Sequence, residues 1–392
     1  EDRTNEIIIT IDPKNTRDID DAFSIKDSIY DDKQVQRFSI YIANVAIWMD
    51  TLDLWSSFSN RISTIYLPDR KRPMLPSIIS DGLCSLVEKN NRFAFTLDIY
   101  IYNNDIVHYE FKNTLVNIFK NYNYKEPSLK KDNIYIKSLE VISKLSQKIR
   151  YVDIVKNSHD FISYIMILMN YISAKEFQKL SCGIFRTAKI NSDYVSKIPD
   201  TLPKKMIKLL TQWNSTGGYY TCIDNNTSEE LKNKIFDTKH DILKLDTYVH
   251  ITSPIRRLVD LLNIIKIQDK MNIIELSSKS KEFYNKWCNH DSIEYINTTM
   301  RSIRKLQGDC EILQLCYDKP EHLEQKFKGY VFDRIQRVDG LYQYTVYLPE
   351  LYMIHRHTTR YFHENYTYND YKLYIFNNEF NFKKKLLLGY YE

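Results

Sequence analysis

Residues 7–25 read Ile7-Ile8-Ile9-Thr10-Ile11-Asp12-Pro13-Lys14-Asn15-Thr16-Arg17-Asp18-Ile19-Asp20-Asp21-Ala22-Phe23-Ser24-Ile25. Two apolar runs flank a group of aspartates, which predicts two strands joined by an acidic loop. Because carboxylates repel one another, such a cluster favours bound cations, and Mg²⁺ prefers oxygen ligands that it shares with waters and phosphates. The alternative is a solvated acidic turn. We therefore treat Asp12, Asp18, Asp20 and Asp21 as candidate metal ligands held by a rigid sheet.

The composition describes a large globular chain. It has 392 residues, of which 43% are hydrophobic, so two or more domains are expected. The 55 basic and 50 acidic residues leave a net charge of +5, which permits nucleic-acid binding without arguing for it. The six cysteines include no C-x-x-C pair, which indicates a reducing, cytoplasmic location, with the nucleus as an open alternative.

No membrane segment or targeting signal is predicted. The longest uncharged apolar stretch, residues 161–174, is shorter than the roughly 20 residues that a membrane span needs, so we interpret it as a buried helix. The chain begins with Glu1 rather than Met, which suggests that an N-terminal part has been removed.

The strand and helix patterns divide the chain into three stretches. Residues 5–117 are mostly strand-like, with short helices expected near 52–62 and after Pro76. Helical spacing follows at 136–150, 160–180, 228–237, 254–270 and 276–317. Short strands return at 327–334, 343–348 and 372–376. The predicted fold class is α+β: a mixed sheet with surrounding helices over residues 1–318, then a small OB-type β-barrel over residues 319–392.

A second informative stretch, residues 248–258, reads Tyr248-Val249-His250-Ile251-Thr252-Ser253-Pro254-Ile255-Arg256-Arg257-Leu258. Ser253 suits a helix N-cap and Pro254 the first helical position, which predicts a helix beginning there. Arg256 and Arg257 would then lie in the first turn, where cations oppose the helix dipole but a bound phosphate would be favoured. Ordinary salt bridges at a helix end are the alternative.

The two stretches together indicate phosphodiester hydrolysis. Metal ions held by the aspartates would activate a water and stabilise the leaving oxygen, while an arginine would neutralise charge on the phosphate.

Further segments strengthen this interpretation by their order along the chain. They are Tyr41-Ile42-Ala43-Asn44-Val45, Tyr66-Leu67-Pro68, Pro73-Met74-Leu75-Pro76, Leu83-Cys84-Ser85-Leu86, Arg92-Phe93-Ala94-Phe95 and Phe185-Arg186. With the acidic loop and Thr252-Ser253-Pro254-Ile255-Arg256-Arg257, they resemble the RNase II / RNase R (RNB-domain) family over about residues 1–318. That family comprises processive 3′→5′ exoribonucleases and includes the catalytic subunit of the eukaryotic exosome.

The resemblance implies a domain order and a role for each matching residue. An S1-type OB domain would occupy residues 319–392, and the N-terminal OB or cold-shock domains would be missing from this chain. Asp12, Asp18, Asp20 and Asp21 would hold one or two Mg²⁺ ions, with Mn²⁺ as an alternative, and Asp20 would be the least dispensable. Arg256 would stabilise the transition state. The expected RNA contacts are Tyr66, Tyr124, Arg257, His250 and Ser253, with Tyr66 stacked on the 3′-terminal base. Packing in the core is the alternative for Tyr66.

The implied function is an Mg²⁺-dependent, hydrolytic and processive 3′→5′ exoribonuclease. Its partner would be single-stranded RNA with a free 3′ end, and its products 5′-mononucleotides. The sequence indicates no membrane partner and identifies no protein partner. Two alternatives remain: a catalytically weak RNA-binding or scaffold member, and a metal-dependent exonuclease acting on DNA.

Two departures from the family pattern and one surface of the tail bear on these alternatives. The chain reads Leu262-Asn263-Ile264 where the family usually carries His-Arg, and Ile303-Arg304-Lys305 where it often carries Ala-Glu-Arg. The tail carries aromatic residues and the run Lys383-Lys384-Lys385. The aromatic residues either occupy strand positions without a binding role or form, together with the lysines, a surface that binds single strands. These aromatic residues are Tyr342, Tyr344, Tyr361, Phe362, Tyr366 and Tyr368.

Overall fold

The structure, a computed structural model, describes residues 1–149, 155–213, 215–224, 238–378, 380 and 383–390. The chain forms two compact units. The first comprises Glu1–Thr64 and Pro73–Met300, and the second comprises Ile65–Arg72 and Arg301–Glu392. The functional division into residues 1–318 and 319–392 stays a prediction. Within the described ranges, no helix combines the length and the apolar character needed to span a membrane.

A closed five-stranded β-barrel forms the centre of the first unit. Its strands, in chain order, are β1 (Asp2–Asp12), β2 (Asp21–Tyr30), β3 (Lys33–Ala43), β6 (Asn91–Tyr102) and β7 (Asp105–Asn123). Strand β1 pairs antiparallel with β2 and parallel with β7, and this parallel pairing closes the barrel. The predicted mixed sheet is confirmed, although the strand pattern did not show that it closes.

Helices and one hairpin complete the first unit. The described α-helices of the chain are α1 (Val45–Thr51), α2 (Asn133–Lys148), α3 (Ser158–Lys179), α4 (Ser192–Val195), α5 (Lys204–Trp213), α6 (Leu258–Lys270), α7 (Ser278–Trp287) and α8 (His290–Asp318). Helix α8 belongs to the first unit only as far as Met300, and its remainder belongs to the second. Strands β8 (Gly183–Ile190) and β9 (Ser215–Ile223) form the hairpin. The predicted helix at 228–237 lies outside the described residues, and the helix expected over 276–317 is divided into α7 and α8.

The barrel is apolar outside and polar inside. On the outer face, the rings of Phe23 and Phe38 pack against Phe161 of α3, with centroid distances of 4.9 and 6.2 Å. On the inner face, the Arg3 guanidinium of β1 donates two hydrogen bonds to the Asp98 carboxylate of β6, at 2.7 and 2.5 Å. Because β1 and β6 are not neighbours in the barrel, this pair must cross its interior.

The helix predicted to begin at Ser253 begins instead at Leu258, with Arg257 as its N-cap residue. Residues 253–257 form a turn, because tertiary partners take the groups that a helix start would have used. The Ser253 N–H donates to Asp260 Oδ1 at 2.8 Å, and the Ser253 hydroxyl accepts a hydrogen bond from Arg256. The prediction that Arg256 and Arg257 lie in the first helical turn is therefore wrong.

The second unit contains a short hairpin and a larger antiparallel sheet. Strands β4 (Ile65–Tyr66) and β5 (Lys71–Arg72) form the hairpin. The sheet has the order β12-β11-β10-β13-β14, from β10 (Lys326–Gln336), β11 (Tyr342–Leu348), β12 (Met353–Thr359), β13 (Tyr368–Asn378) and β14 (Lys383–Tyr390). Its outer strands approach each other, since a ring nitrogen of His357 in β12 lies 2.9 Å from the Leu388 carbonyl oxygen of β14. The β-rich tail is confirmed, while its closure as an OB-type barrel stays a prediction.

Candidate active site

The acidic loop connects β1 to β2 and is anchored on both sides. Asp12 ends β1 and Asp21 begins β2, so only Asp18 and Asp20 lie in the connecting segment. The Ile19 N–H donates to the Ser85 hydroxyl at 2.9 Å, and the Ala43 N–H donates to the Asp20 carbonyl oxygen at 2.8 Å. These bonds to the Leu83–Leu86 segment and the end of β3 hold the loop in one conformation.

Asp20, in the acidic loop, contacts the second informative stretch, residues 248–258. The Asp20 side chain is buried, and its Oδ1 accepts a hydrogen bond from the Ile255 N–H at 2.9 Å. Its Oδ2 accepts a second bond from Arg256 Nε at 3.1 Å. The Nη2 of Arg256 also donates to the Ser253 hydroxyl at 2.9 Å, which fixes the orientation of the guanidinium. The fold therefore joins a carboxylate and an arginine that are far apart in the sequence.

The carboxyl groups of this site are poorly stabilised as anions by the protein alone. Burial raises the pKa of Asp20 to about 7, although the Arg256 charge opposes the shift. Burial likewise raises the pKa of Asp12 to about 6. The pKa of Asp21 is raised well above its usual range by burial and then by repulsion from Asp12 and Asp20. Asp18 is also buried, at 7% exposure.

The chemistry of these side chains suits a hard cation. Carboxylate oxygens are the ligands that Mg²⁺ prefers, and the buried Oδ2 of Asp12 has no hydrogen-bond partner in the described part of the chain. No three His, Cys, Asp or Glu side chains of the described residues, however, are placed as a ligand set for a metal ion. Metal binding by these carboxylates stays a prediction.

Arg257 and His250 form a second polar group beside the Arg256 turn. Arg257 Nη2 donates to Asp260 Oδ1 at 2.8 Å, and Arg257 Nη1 lies 3.4 Å from His250 Nδ1. The Tyr220 hydroxyl is 2.7 Å from the same nitrogen. Burial, and then the charges of Arg257 and Arg186, hold the pKa of His250 well below its usual range, so its imidazole is neutral at pH 7. Ser253 is buried, and its hydroxyl accepts a hydrogen bond from Arg256 Nη2.

Tyr124 lies directly beside the acidic loop. Its N–H donates to the Asp12 carbonyl oxygen at 3.3 Å, and its ring stacks on His159 with a centroid distance of 3.8 Å. Burial and the nearby charges of Asp21 and Asp12 raise the pKa of the Tyr124 hydroxyl, so it remains a hydrogen-bond donor. His159 lies in the first turn of α3 and was not predicted from the sequence, because it belongs to no recognisable motif.

Tyr66 belongs to the second unit and lies on β4. Its side chain is 38% exposed, so packing in a core is not its role. Stacking on a nucleotide base stays a prediction for this residue.

The two departures from the family pattern have different surroundings. Asn263 is buried, accepts a hydrogen bond from the Ile184 N–H, and donates to the carbonyl oxygens of Ile184 and His250. It thereby ties β8 to the segment that precedes the Arg256 turn. Arg304 is exposed on α8.

Comparison with known proteins identifies the fold family. Residues 1–152 and 128–271 match the RNB domain. The chain belongs to the RNB-domain family. The resemblance to RNase II and RNase R drawn from the sequence motifs is thus confirmed.

This RNB-domain chain is similar in sequence to a ribonuclease and in fold to solved structures of a ribonuclease and a pseudonuclease. Ribonuclease R from Buchnera aphidicola subsp. Schizaphis graminum is 28% identical over 313 residues, which cover 64% of this chain and 43% of that protein. The structure of Mycoplasma genitalium RNase R in complex with ribose methylated single-stranded RNA matches with a TM-score of 0.72 and 15% identity, covering 99% of this chain and 72% of that one. Yeast Ssd1, a pseudonuclease, matches with a TM-score of 0.68 and 14% identity, covering 91% of this chain and 50% of that one. The chain spans less than half the length of the curated relatives it matches.

Proposed function

We propose that this chain is the catalytic part of a 3′→5′ exoribonuclease that hydrolyses single-stranded RNA to 5′-mononucleotides, processively and with Mg²⁺. The observation that carries the proposal is the contact of Asp20 with the Ile255 N–H and Arg256 Nε. It unites an acidic loop with an oriented guanidinium, as phosphodiester hydrolysis requires. The match to the RNB domain and the relatives named Ribonuclease R support RNA as the substrate.

The protein groups of the site have separate roles in this proposal. Arg256, whose side chain is 43% exposed, contacts the phosphate at the cleaved bond and neutralises charge that develops in the transition state. The Asp20 carboxylate holds Arg256 in place through Nε. The protonated Tyr124 hydroxyl donates a hydrogen bond to the strand, with its ring orientation set by the stack on His159.

Asp12, Asp18, Asp20 and Asp21 are the residues that would hold one or two Mg²⁺ or Mn²⁺ ions. When bound, these ions would activate a water and offset negative charge on the phosphate. The mutual repulsion of Asp12, Asp20 and Asp21 and the unpartnered Oδ2 of Asp12 support a cation here.

The alternative function is RNA binding with little or no catalysis. One observation favours it: the fold is shared with a protein described as a pseudonuclease. The intact set of aspartates and the paired Arg256 favour catalysis instead.

The test compares the wild-type chain with Asp20→Asn, and uses Asp27→Asn on the barrel surface as a matched control. The substrates are RNA and DNA strands of one sequence, each with a free or a blocked 3′ end, with and without Mg²⁺. Release of 5′-mononucleotides from RNA that requires a free 3′ end, Mg²⁺ and Asp20 supports the proposal.

Each other outcome of this test has a defined meaning. Binding of RNA without product supports the alternative function. Equal degradation of DNA contradicts RNA specificity. Internal cleavage, or full activity of Asp20→Asn, contradicts the exonuclease mechanism.

A further inference from the structure

We propose that Asp260, in the first turn of α6, is a positioning residue that holds the turn carrying Arg256 against Asp20. This inference rests on the proposed function of the same site. Asp260 does not act on the phosphate itself in this proposal. It acts through Ser253 and Arg257, the two ends of the turn.

A single oxygen atom of Asp260 connects both ends of that turn. Oδ1 accepts one hydrogen bond from the Ser253 N–H at 2.8 Å and another from Arg257 Nη2 at 2.8 Å. Ser253 in turn accepts a bond from Arg256 Nη2 through its hydroxyl. A continuous chain of hydrogen bonds therefore runs from Asp260 through Ser253 to Arg256 and ends at Asp20.

Backbone bonds close the turn but do not orient the arginine. The N–H groups of Arg256 and Arg257 donate to the Ser253 carbonyl oxygen at 3.2 and 3.0 Å, and the Thr64 N–H donates to the Arg256 carbonyl oxygen at 3.0 Å. These bonds fix the path of the main chain. Because they involve no side-chain atom of Arg256, they do not orient its guanidinium, which the bonds to Ser253 and Asp20 help to direct.

Burial of the Asp260 carboxylate costs free energy, which is unfavourable for a residue with a purely structural role. Its side chain is fully buried, and Oδ2 has no hydrogen-bond partner within the described residues. A buried carboxylate costs several kcal/mol unless its partners compensate for lost hydration. The two strong bonds at Oδ1 provide that compensation only while Ser253 and Arg257 stay in place, so the carboxylate and the turn hold each other.

Loss of Asp260 should therefore misplace Arg256 without removing any group that touches RNA. A displacement of about 1 Å at a catalytic group can lower a rate by about 100-fold, while ground-state binding changes little. We expect Asp260→Ala to lower kcat by about 10- to 100-fold and to leave KM within about threefold of wild type. Asp260→Asn keeps an acceptor at Oδ1 and should show a smaller loss.

The decisive measurement is hydrogen exchange at Arg256 Nε, observed by NMR on protein labelled with ¹⁵N in arginine side chains. The resonance is assigned by its absence in Arg256→Lys. In wild type, the bond from Nε to Asp20 slows exchange. We expect at least about tenfold faster exchange in Asp260→Ala and an intermediate rate in Asp260→Asn.

Gln268→Ala is the matched control. Gln268 is also fully buried in α6, and its side chain bonds Asn44 and the Ile264 carbonyl oxygen rather than the Arg256 turn. We expect it to lose stability while Arg256 Nε exchange and kcat remain at wild-type values.

Unchanged exchange at Arg256 Nε in Asp260→Ala would overturn the inference, as would an equal loss of kcat in Gln268→Ala. If Asp260→Ala does not fold, the same measurement is made on Asp260→Asn. Exchange at Arg256 Nε that is as slow in Asp260→Asn as in wild type would then contradict the inference. If the wild-type chain degrades no RNA, the proposed function fails, but the exchange measurement still tests the role of Asp260.

Discussion

Among the four aspartates, Asp20 differs in what its oxygen atoms contact. One oxygen is bonded by a backbone N–H and the other by a guanidinium, and both donors come from the same turn. A carboxylate held in this way has its position and orientation set by the fold. Asp12 instead keeps a buried oxygen without a partner in the described residues, which leaves it the freer ligand.

Replacement of Arg256 by lysine should be damaging even though the charge is kept. The guanidinium spans Asp20 and Ser253 with two different nitrogens, and an ammonium cannot reproduce that fork. We expect Arg256→Lys to lower the single-turnover rate on RNA by about 100-fold or more. Arg356→Lys, on β12 of the second unit, serves as the control and should match wild type. A loss below about threefold in Arg256→Lys would show that its charge alone suffices.

The raised pKa of Asp12 makes a prediction about stability without metal. A folded-state pKa of about 6, against the ordinary value of 3.8, means that the folded protein holds this proton more tightly than the unfolded chain does. This group therefore stabilises the fold relatively more at low pH, and the contribution is lost as the pH rises from about 4 to about 6. Above pH 7 in EDTA, we expect Asp12→Asn to raise the free energy of unfolding by about 1 to 2 kcal/mol.

Urea unfolding at pH 4 and pH 7.5 checks this prediction. The gain of Asp12→Asn over wild type should be present at pH 7.5 and small at pH 4, where the native carboxyl is protonated. Mg²⁺ should stabilise the wild-type protein more than it stabilises Asp12→Asn. A gain that is equal at both pH values would contradict the assignment to this carboxyl group.

At the scale of elements, the barrel depends on a charged pair in its interior. Arg3 and Asp98 have side chains with no exposed surface, and Ser39 also donates to Asp98 Oδ1 at 2.6 Å. Removing one partner breaks the shortest ion pair of the other, although Arg3 then retains Glu1, and Asp98 retains Lys112, as a second partner. The expected loss is therefore near the lower end of the roughly 3–5 kcal/mol that is typical of a broken buried pair. We expect Asp98→Ala to lower the free energy of unfolding by about this amount.

A double-mutant cycle measured by urea unfolding tests the pair. The variant that carries both Arg3→Met and Asp98→Leu should be more stable than Asp98→Leu alone, because neither buried charge then remains. Additive losses of Arg3→Met and Asp98→Leu would show that the pair is not coupled. Lys137→Ala, which removes an exposed ion pair with Asp27, should change stability by less than about 1 kcal/mol.

At the scale of the whole molecule, the second unit adds an aromatic surface. The Arg334 guanidinium lies 4.3 Å from the Phe362 ring centroid, and Tyr342 lies 5.6 Å from the same ring. Phe362 is 54% exposed, so a nucleotide base can reach it. For Phe362 this exposure favours a surface for single strands, since an exposed ring contributes little to a core. Tyr344 is instead fully buried in the core of the sheet, so it occupies a strand position without a binding role.

We expect Phe362→Ala to weaken binding of single-stranded RNA by about 5- to 100-fold, the range for loss of one stacked base. Fluorescence anisotropy with labelled RNA measures the affinity. Tyr317→Ala, which removes a 78% exposed ring of the same unit, is the control and should bind like wild type. Equal affinities in all three proteins would contradict RNA contact at Phe362.

Much of the architecture followed from local patterns. Alternation of β-branched residues predicted the strands of the barrel, and helical spacing predicted α2, α3 and most of α6, because these patterns reflect which face of an element is buried. The helix start at Ser253 was predicted wrongly. Its capping groups are bound by Asp260 and Arg256, partners that local sequence rules do not consider.

The sequence predicted which types of residue form the candidate site, but not all of the residues that hold them in place. Four acids and an arginine can be recognised because few structural roles need them clustered in short segments. His159 and Asp260 could not be found in this way, since a stacked imidazole and a buried carboxylate carry no motif.

The sequence by itself thus determined the α+β class, the family and the identities of the groups in the acidic loop and the Arg256 segment, because these depend on local composition and order. Only the tertiary structure decided that β1 pairs with β7 to close the barrel, that Arg256 contacts Asp20, and that Asp260 holds the turn between them. Those contacts join residues distant in sequence, and their geometry depends on how whole elements pack.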